Sequence, residues 1–228
     1  MASTSTEPTT TTPTRRPYKG SCHCGLTQYI IYITLPPLPS YFSITPSPKG
    51  SQRIYKCNCS TCQKTGFFHV RPAESPDSFL VLGPLEDEGV RGDDVGRAGA
   101  GAGEESMGKG AVGLKMGQGG LLDYTCFDKQ IHWYFCSVCG VRCFDFTGEC
   151  ELITTTLEGE EVRAWKPKKE GWRENQTGYL SINACTLEQD QEGLDLREWH
   201  EKRWIGYLDC KEEVGEDRFG EPYPGGNY

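Results

Sequence analysis

The sequence predicts a mainly β domain with metal held on grouped cysteines, and three observations carry that expectation. Short runs of β-branched and aromatic residues recur between turn-forming residues, as at 26–33 and 131–135. Of twelve cysteines, seven stand in tight C-x-C, C-x-C-x-x-C and C-x-x-C groups, a spacing that suits metal ligation. At 228 residues the chain is long enough for one domain with a substantial core, or for one such domain carrying insertions. Two abrupt changes of composition favour the second arrangement.

In chain order, residues 1–17 are mostly Ser, Thr and Pro and offer almost nothing to bury, so they are expected to form a disordered tail. The Arg15-Arg16 pair has no amphipathic apolar face around it that would make a transit peptide. The domain is expected over 18–210. It opens with Gly20-Ser21-Cys22-His23-Cys24-Gly25 and a strand at 26–33. Five prolines between 36 and 48 mark a loop. A strand at 53–56 then delivers Cys57, and short strands follow at 67–70 and 79–82. Residues 83–120 hold 13 of the 28 glycines and no aromatic residue, so too little apolar area exists there to offset chain entropy; a disordered insertion is expected. A hairpin is expected from 121–125 and 131–135 around Asp128-Lys129, then a strand at 141–146. A second, Lys- and Glu-rich insertion is expected at 158–177. The chain closes with a strand at 179–184, a helix at 194–201 and an acidic, Gly- and Pro-rich tail over 211–228.

Charge narrows the partners. With 24 Lys and Arg against 32 Asp and Glu, the net charge is −8, which argues against a nucleic-acid surface, since phosphate recognition needs clustered basic residues. No apolar run approaches the roughly 18 residues of a membrane span, and no apolar signal segment opens the chain. A soluble, cytoplasmic protein is expected, and in a reducing compartment metal ligation explains the grouped cysteines better than disulfides.

The chemistry follows from ligand count. Cys57-Asn58-Cys59-Ser60-Thr61-Cys62 places two thiols on one face of a strand end and a third in the next turn, matching Zn–S distances of about 2.3 Å. Cys136-x-x-Cys139-Gly140 has the form of a zinc knuckle, and Cys22-x-Cys24 is its natural complement. Together those four make a closed, structural zinc site. Cys57, Cys59 and Cys62 are left with three ligands, the arrangement of a catalytic zinc whose fourth position takes water or substrate. An all-thiolate site suits a soft ligand, so the expected chemistry is capture of a thiol as thiolate for attack on a small electrophile. The bland alternative is a second structural zinc completed by Cys143, Cys126 or His69. Cys126, Cys143, Cys150, Cys185 and Cys210 read as small core or surface residues. His23 is expected to be exposed, His132 to be a strand residue, and the five tryptophans to pack. Lys64, Arg71 and Arg142 are candidates for a substrate carboxylate, although solvated surface charge is the commoner fate of such residues.

Three motifs in this order, Gly20-Ser21-Cys22-His23-Cys24-Gly25, Cys57-Asn58-Cys59-Ser60-Thr61-Cys62-Gln63-Lys64-Thr65-Gly66 and Tyr134-Phe135-Cys136-Ser137-Val138-Cys139-Gly140, resemble the glutathione-dependent formaldehyde-activating enzymes, also called the centromere-protein-V/GFA domain family. The resemblance runs over about residues 18–207, leaves out both insertions, and departs at Gln63-Lys64, where many members are Arg-rich. It implies an Mss4-like fold of small antiparallel sheets stapled by zinc, with structural zinc on Cys22, Cys24, Cys136 and Cys139. It also implies a second, catalytic zinc on Cys57, Cys59 and Cys62, two zinc ions per chain, and a carbon–sulfur lyase activity forming S-(hydroxymethyl)glutathione from glutathione and formaldehyde. Members with chromatin or cytoskeletal roles imply the alternative, a non-catalytic zinc-stabilised domain that binds a macromolecular partner.

Overall fold

Strand alternation decides which residues meet between two sheets. The computed structural model describes residues 12–38, 51–87, 112–126, 130–211 and 218–223. One sheet has five strands in the order β1 (Thr14–Ser21), β2 (Gln28–Leu35), β5 (Phe79–Gly83), β10 (Glu160–Pro167) and β9 (Cys150–Leu157). The other has eight: β13 (Arg218–Phe219), β12 (Gly206–Leu208), β3 (Arg53–Cys57), β4 (Phe68–Arg71), β11 (Tyr179–Asn183), β8 (Arg142–Thr147), β7 (Ile131–Cys136) and β6 (Leu121–Cys126). The pairings are antiparallel except that of β12 with β3. The mainly β, antiparallel class read from the sequence is therefore the class of the folded chain.

The inner faces of the two sheets make one core. Ile31, Ile33, Phe79, Val81 and Trp165 come from the five-stranded sheet; Val70, Phe144, Phe146, Leu180 and Ile182 come from the eight-stranded one. Phe79 meets Phe144 at 5.4 Å between ring centroids and Phe146 meets Trp165 edge-on at 4.9 Å, so aromatic pairs tie one sheet to the other. Burying each such side chain contributes about 1.5–3 kcal/mol. Because successive residues point to opposite faces, the same strands also present an outer face. Ile54 of β3 enters the main core, whereas its neighbours Tyr55 and Cys57 join Cys62, Phe67 and Trp133 in a second, smaller cluster. That outer cluster positions the candidate site.

Several boundaries differ from the sequence reading. Residues 14–17, expected in the tail, belong to β1 and pair with 32–35 of β2. An edge strand needs only one covered face, so a Thr-, Arg- and Pro-rich segment can fill it: Arg15 lies over the Tyr32 ring at 4.4 Å and Arg16 pairs with Glu192. The second insertion is not structureless, since β10 lies within it and pairs along its whole length with β9 just before it, with Ala164 and Trp165 fully buried. The exposed residues of β10, Glu160 and Glu161, lie at its turn end, and they are what gave the segment an unfoldable composition. The Gly-rich segment is ordered at both ends, where Leu85 bridges Leu114 and Leu114 is buried in the core. The C-terminal tail contributes β13. The helix expected at 194–201 is α2 (Leu196–Glu201), capped by Asp195, with Trp199 as its buried anchor. The expectations for 1–11, the Pro-rich loop at 39–50, the Gly-rich 88–111, the Asp128-Lys129 turn, and 212–217 and 224–228 lie outside the described residues. No helix among the described residues is long and apolar enough to cross a membrane.

Candidate metal centres

The first centre joins the two sheets. Cys22 and Cys24 lie in the turn between β1 and β2, on the five-stranded sheet; Cys136 ends β7 and Cys139 lies in the turn to β8, on the eight-stranded one. Their four sulfurs all lie within 4.8 Å of one another. The Cys22–Cys24 and Cys24–Cys136 sulfur separations are 3.6 and 3.5 Å. Four ligands at about 2.3 Å from a tetrahedral ion stand about 3.8 Å apart, so this donor set fits such an ion. Each turn is built alike. Gly25 N–H donates to the Cys22 carbonyl and Gly140 N–H to that of Cys136, both at 2.9 Å, and both glycines adopt positive φ, 76° and 74°. Backbone donors already point at the sulfurs, Thr27 N–H at Cys22 (3.2 Å) and Val138 N–H at Cys136 (3.4 Å). Burial opposes ionisation of Cys22, but the Thr27 N–H and the neighbouring thiols bring its pKa down to about 6. The Leu26 N–H favours the Cys24 thiolate, yet desolvation and the adjacent sulfurs push that thiol up to about 12.

The second centre sits on the outer face of the eight-stranded sheet. Cys57 ends β3, Cys59 is the N-cap of α1 (Ser60–Thr65), and Cys62 is the buried residue of that helix, whose sulfur lies within 4.8 Å of the other two. The expected turn after Cys59 is thus a short helix. Cys59 N–H donates to the Cys57 sulfur at 3.3 Å, and Cys62 N–H to the Cys59 sulfur at 3.4 Å. Hydrogen bonds from the Cys57 and Cys62 thiols and from the N–H groups of Cys62 and Thr61 outweigh burial and hold the Cys59 pKa down to about 2. Hydrogen bonds with Cys210, Cys59 and Cys62, together with burial, push Cys57 far up. Within the cluster the thiolate is thus favoured at Cys59 and disfavoured at Cys57 and Cys62, and a divalent cation is what would let all three sulfurs ionise together.

Around these sulfurs the wall is aromatic. Tyr55 stacks on His69 at 4.5 Å between centroids, Phe67 tilts against the same imidazole at 4.7 Å, and Trp133 meets Phe67 edge-on at 4.9 Å. His69 Nε2 lies 3.1 Å from the Cys62 sulfur, and its Nδ1 is 2.9 Å from Ser181 Oγ. Burial lowers its pKa to about 3, so the imidazole is neutral. Of the fourth-ligand candidates, Cys143 is buried in the main core. Cys126 accepts a hydrogen bond from Trp133 Nε1 at 2.9 Å, and neither Cys126 nor His69 belongs to the mutually close sulfur group. His69 is a partner of Cys62 that orients it, in the manner of groups behind metal ligands.

The remaining candidates separate clearly. Arg71 is committed within the fold: it pairs with Glu174, bonds Asn175 Oδ1 at 2.8 Å and stacks on Tyr179. Lys64 is exposed on α1 and His23 is exposed beside the first centre. His132 is a strand residue bonded to Asp123 at 2.6 Å. Arg142 is half-buried over the rings of Tyr124 and Trp133, at 5.4 and 5.8 Å, and its Nη1 lacks a hydrogen-bond partner among the described residues. Sequence reasoning missed two groups on this face. Asp145 is fully buried, neither carboxylate oxygen has a hydrogen-bond partner among the described residues, and burial pushes its pKa well above the carboxylate range. Cys210, read as a small surface or core residue, has its sulfur 3.4 Å from that of Cys57.

Comparisons with known proteins name no family. No family model matches the chain, and no curated protein matches it. A solved structure of a Rhodobacter sphaeroides protein, from a structural genomics programme, aligns over 83% of this chain and 99% of its own with 13% identity and a TM-score of 0.34.

Proposed function

We propose that the protein is a zinc-dependent thiol-adduct enzyme, a carbon–sulfur lyase of the S-(hydroxymethyl)glutathione-forming type, with glutathione as the thiol and formaldehyde as the electrophile. The observation that carries this reading is the contrast between the two centres: four mutually close sulfurs in one, three in the other. Zinc on Cys57, Cys59 and Cys62 would supply the charge that keeps a substrate thiol ionised at neutral pH. The chain's own residues do the rest. Neutral His69, fixed by Ser181, holds Cys62 in place without adding charge, and Phe67, Tyr55 and Trp133 limit water around the sulfurs. Arg142, stacked on Trp133, would be the cation that meets a glutathione carboxylate. In the adduct step the thiolate sulfur bonds to the carbonyl carbon, the C=O π bond opens, and the oxygen takes a proton. The acidic composition and grouped thiols suit a reducing, cytoplasmic setting without nucleic-acid partners.

One observation favours a second reading. The Cys57–Cys210 contact would suit a closed site, making both metals structural and the domain a binding module for a macromolecular partner. Calorimetric titration of glutathione into wild type and Cys59→Ser, in buffers of different ionisation enthalpy, separates the two. The enzyme reading expects binding with proton release in wild type, none in the variant, and similar melting of both. Absence of binding to wild type together with a collapsed melting temperature for Cys59→Ser would overturn it.

A further inference from the structure

We infer that Cys210 is the fourth sulfur of the second metal centre, a ligand held on the rim of the site and displaced by an incoming thiol. The ligand assignment stands on geometry alone; the displacement rests on the function proposed above. The sulfur of Cys210 is 3.4 Å from that of Cys57, close to the Cys22–Cys24 and Cys24–Cys136 separations of 3.6 and 3.5 Å in the four-sulfur centre. A pair so spaced can share one ion whose ligands lie about 3.8 Å apart. Cys210 does not yet lie within 4.8 Å of all three other sulfurs, and it is exposed where Cys57 and Cys62 are buried. Its exposure leaves it open to an incoming thiol from solvent.

What brings Cys210 there is built into the fold. The parallel pairing of β12 with β3 sets Leu208 beside Cys57, and Asn58 N–H donates to the Leu208 carbonyl at 3.2 Å. The buried Asn58 side chain then grips the next two residues: Nδ2 donates to Asp209 Oδ1 at 2.6 Å, and Oδ1 accepts from Cys210 N–H at 2.7 Å. The residue between two ligands of the cluster is thus the one that fixes the backbone of Cys210. Sulfur also suits the role chemically, because replacing one thiolate by another leaves donor type and net charge of the centre unchanged.

The test compares full-length wild type, Cys210→Ser and Cys210→His, each loaded with two zinc ions. Zinc affinity is read by competition with a chromophoric chelator and the sulfur count by X-ray absorption. A ligand should matter at least as much as an outer partner, so Cys210→Ser should bind its weaker zinc about 10–100-fold less tightly or worse. The mean sulfur count should fall from about four towards about three and a half, and Cys210→His should recover affinity, since imidazole also ligates zinc. Unchanged affinity, or lost affinity with an unchanged sulfur count, would overturn the ligand assignment. Maleimide labelling of Cys210, followed by mass spectrometry, tests displacement: zinc should protect the thiol in wild type, and glutathione should expose it. If Cys210→Ser loses affinity and sulfur count but glutathione neither exposes Cys210 nor restores the fourth sulfur in the variant, thiol displacement and the proposed function fall while Cys210 stands as a ligand.

Discussion

Removing one sulfur from the first centre, by Cys136→Ser, should destabilise the whole domain, and the size of the effect follows from what that centre connects. Cys24 and Cys136 stand 112 positions apart and belong to different sheets, so a metal joining them closes a long loop of the unfolded chain. Closure of a loop of about 100 residues by a covalent cross-link is worth about 4–5 kcal/mol on the chain-entropy scale, and a metal clip acts on the same entropy. Against a typical net stability of about 5–15 kcal/mol, that is a large share. For a chain of this length each kcal/mol shifts the melting temperature by about 2–4 °C, so a drop of about 10–20 °C is expected. The assay is a calorimetric or circular-dichroism melt of zinc-loaded wild type and variant, each repeated after exposure to a strong chelator. Chelation should bring wild type down towards the variant and lower the variant much less. Melting of Cys136→Ser within about 2 °C of wild type, with no chelator effect on wild type, would refute the clamp. Cys59→Ser should cost much less, because Cys59 shares only a short local loop with Cys57 and Cys62, and a metal held by Cys57 and Cys210 would still span the long one in the variant.

Elemental analysis should find two zinc ions per chain in wild type and one after replacing Cys57, Cys59 and Cys62 together; two in the triple variant would mean that the second ion lies elsewhere. Asp145 gives a pH prediction. Its folded pKa is raised, so above its unfolded value near 3.8 the native state keeps a proton that the unfolded state releases. Its contribution is therefore complete below that value and is lost as pH rises towards the folded pKa, with a slope of up to about 1.4 kcal/mol per pH unit. Asp145→Asn should abolish that slope in urea melts across pH 4–8, and an unchanged pH profile would count against a buried, proton-holding carboxyl. Trp165→Ala, at a fully buried position between Phe79 and Phe146, should cost about 3–5 kcal/mol by urea denaturation without changing zinc content.

Which cysteines group, and that the chain is built from strands, could be read from residue order alone, because both signals are local. Ligand spacing within a motif and alternation within a strand depend on residues two or three apart, and Cys22, Cys24, Cys136 and Cys139 do meet. The ordered hairpin of β9 and β10 stayed hidden for a physical reason: the turn end of β10, where Glu160 and Glu161 are exposed, dominates the composition, while Ala164 and Trp165 are buried further along the strand. Pairing along the whole of β9, not composition, makes it a strand. In the same way β1 could be recognised only once β2 lay beside it. The surroundings of the second centre were the least legible. His69, Ser181 and Asp145 come from three strands, distant in sequence, that share one sheet face. Cys210 reaches Cys57 across 153 positions through the parallel pairing of β12 with β3 and the side chain of Asn58. No local periodicity encodes such a pairing, because its stabilisation comes from backbone hydrogen bonds and packing that exist only after both sheets have closed on their common core.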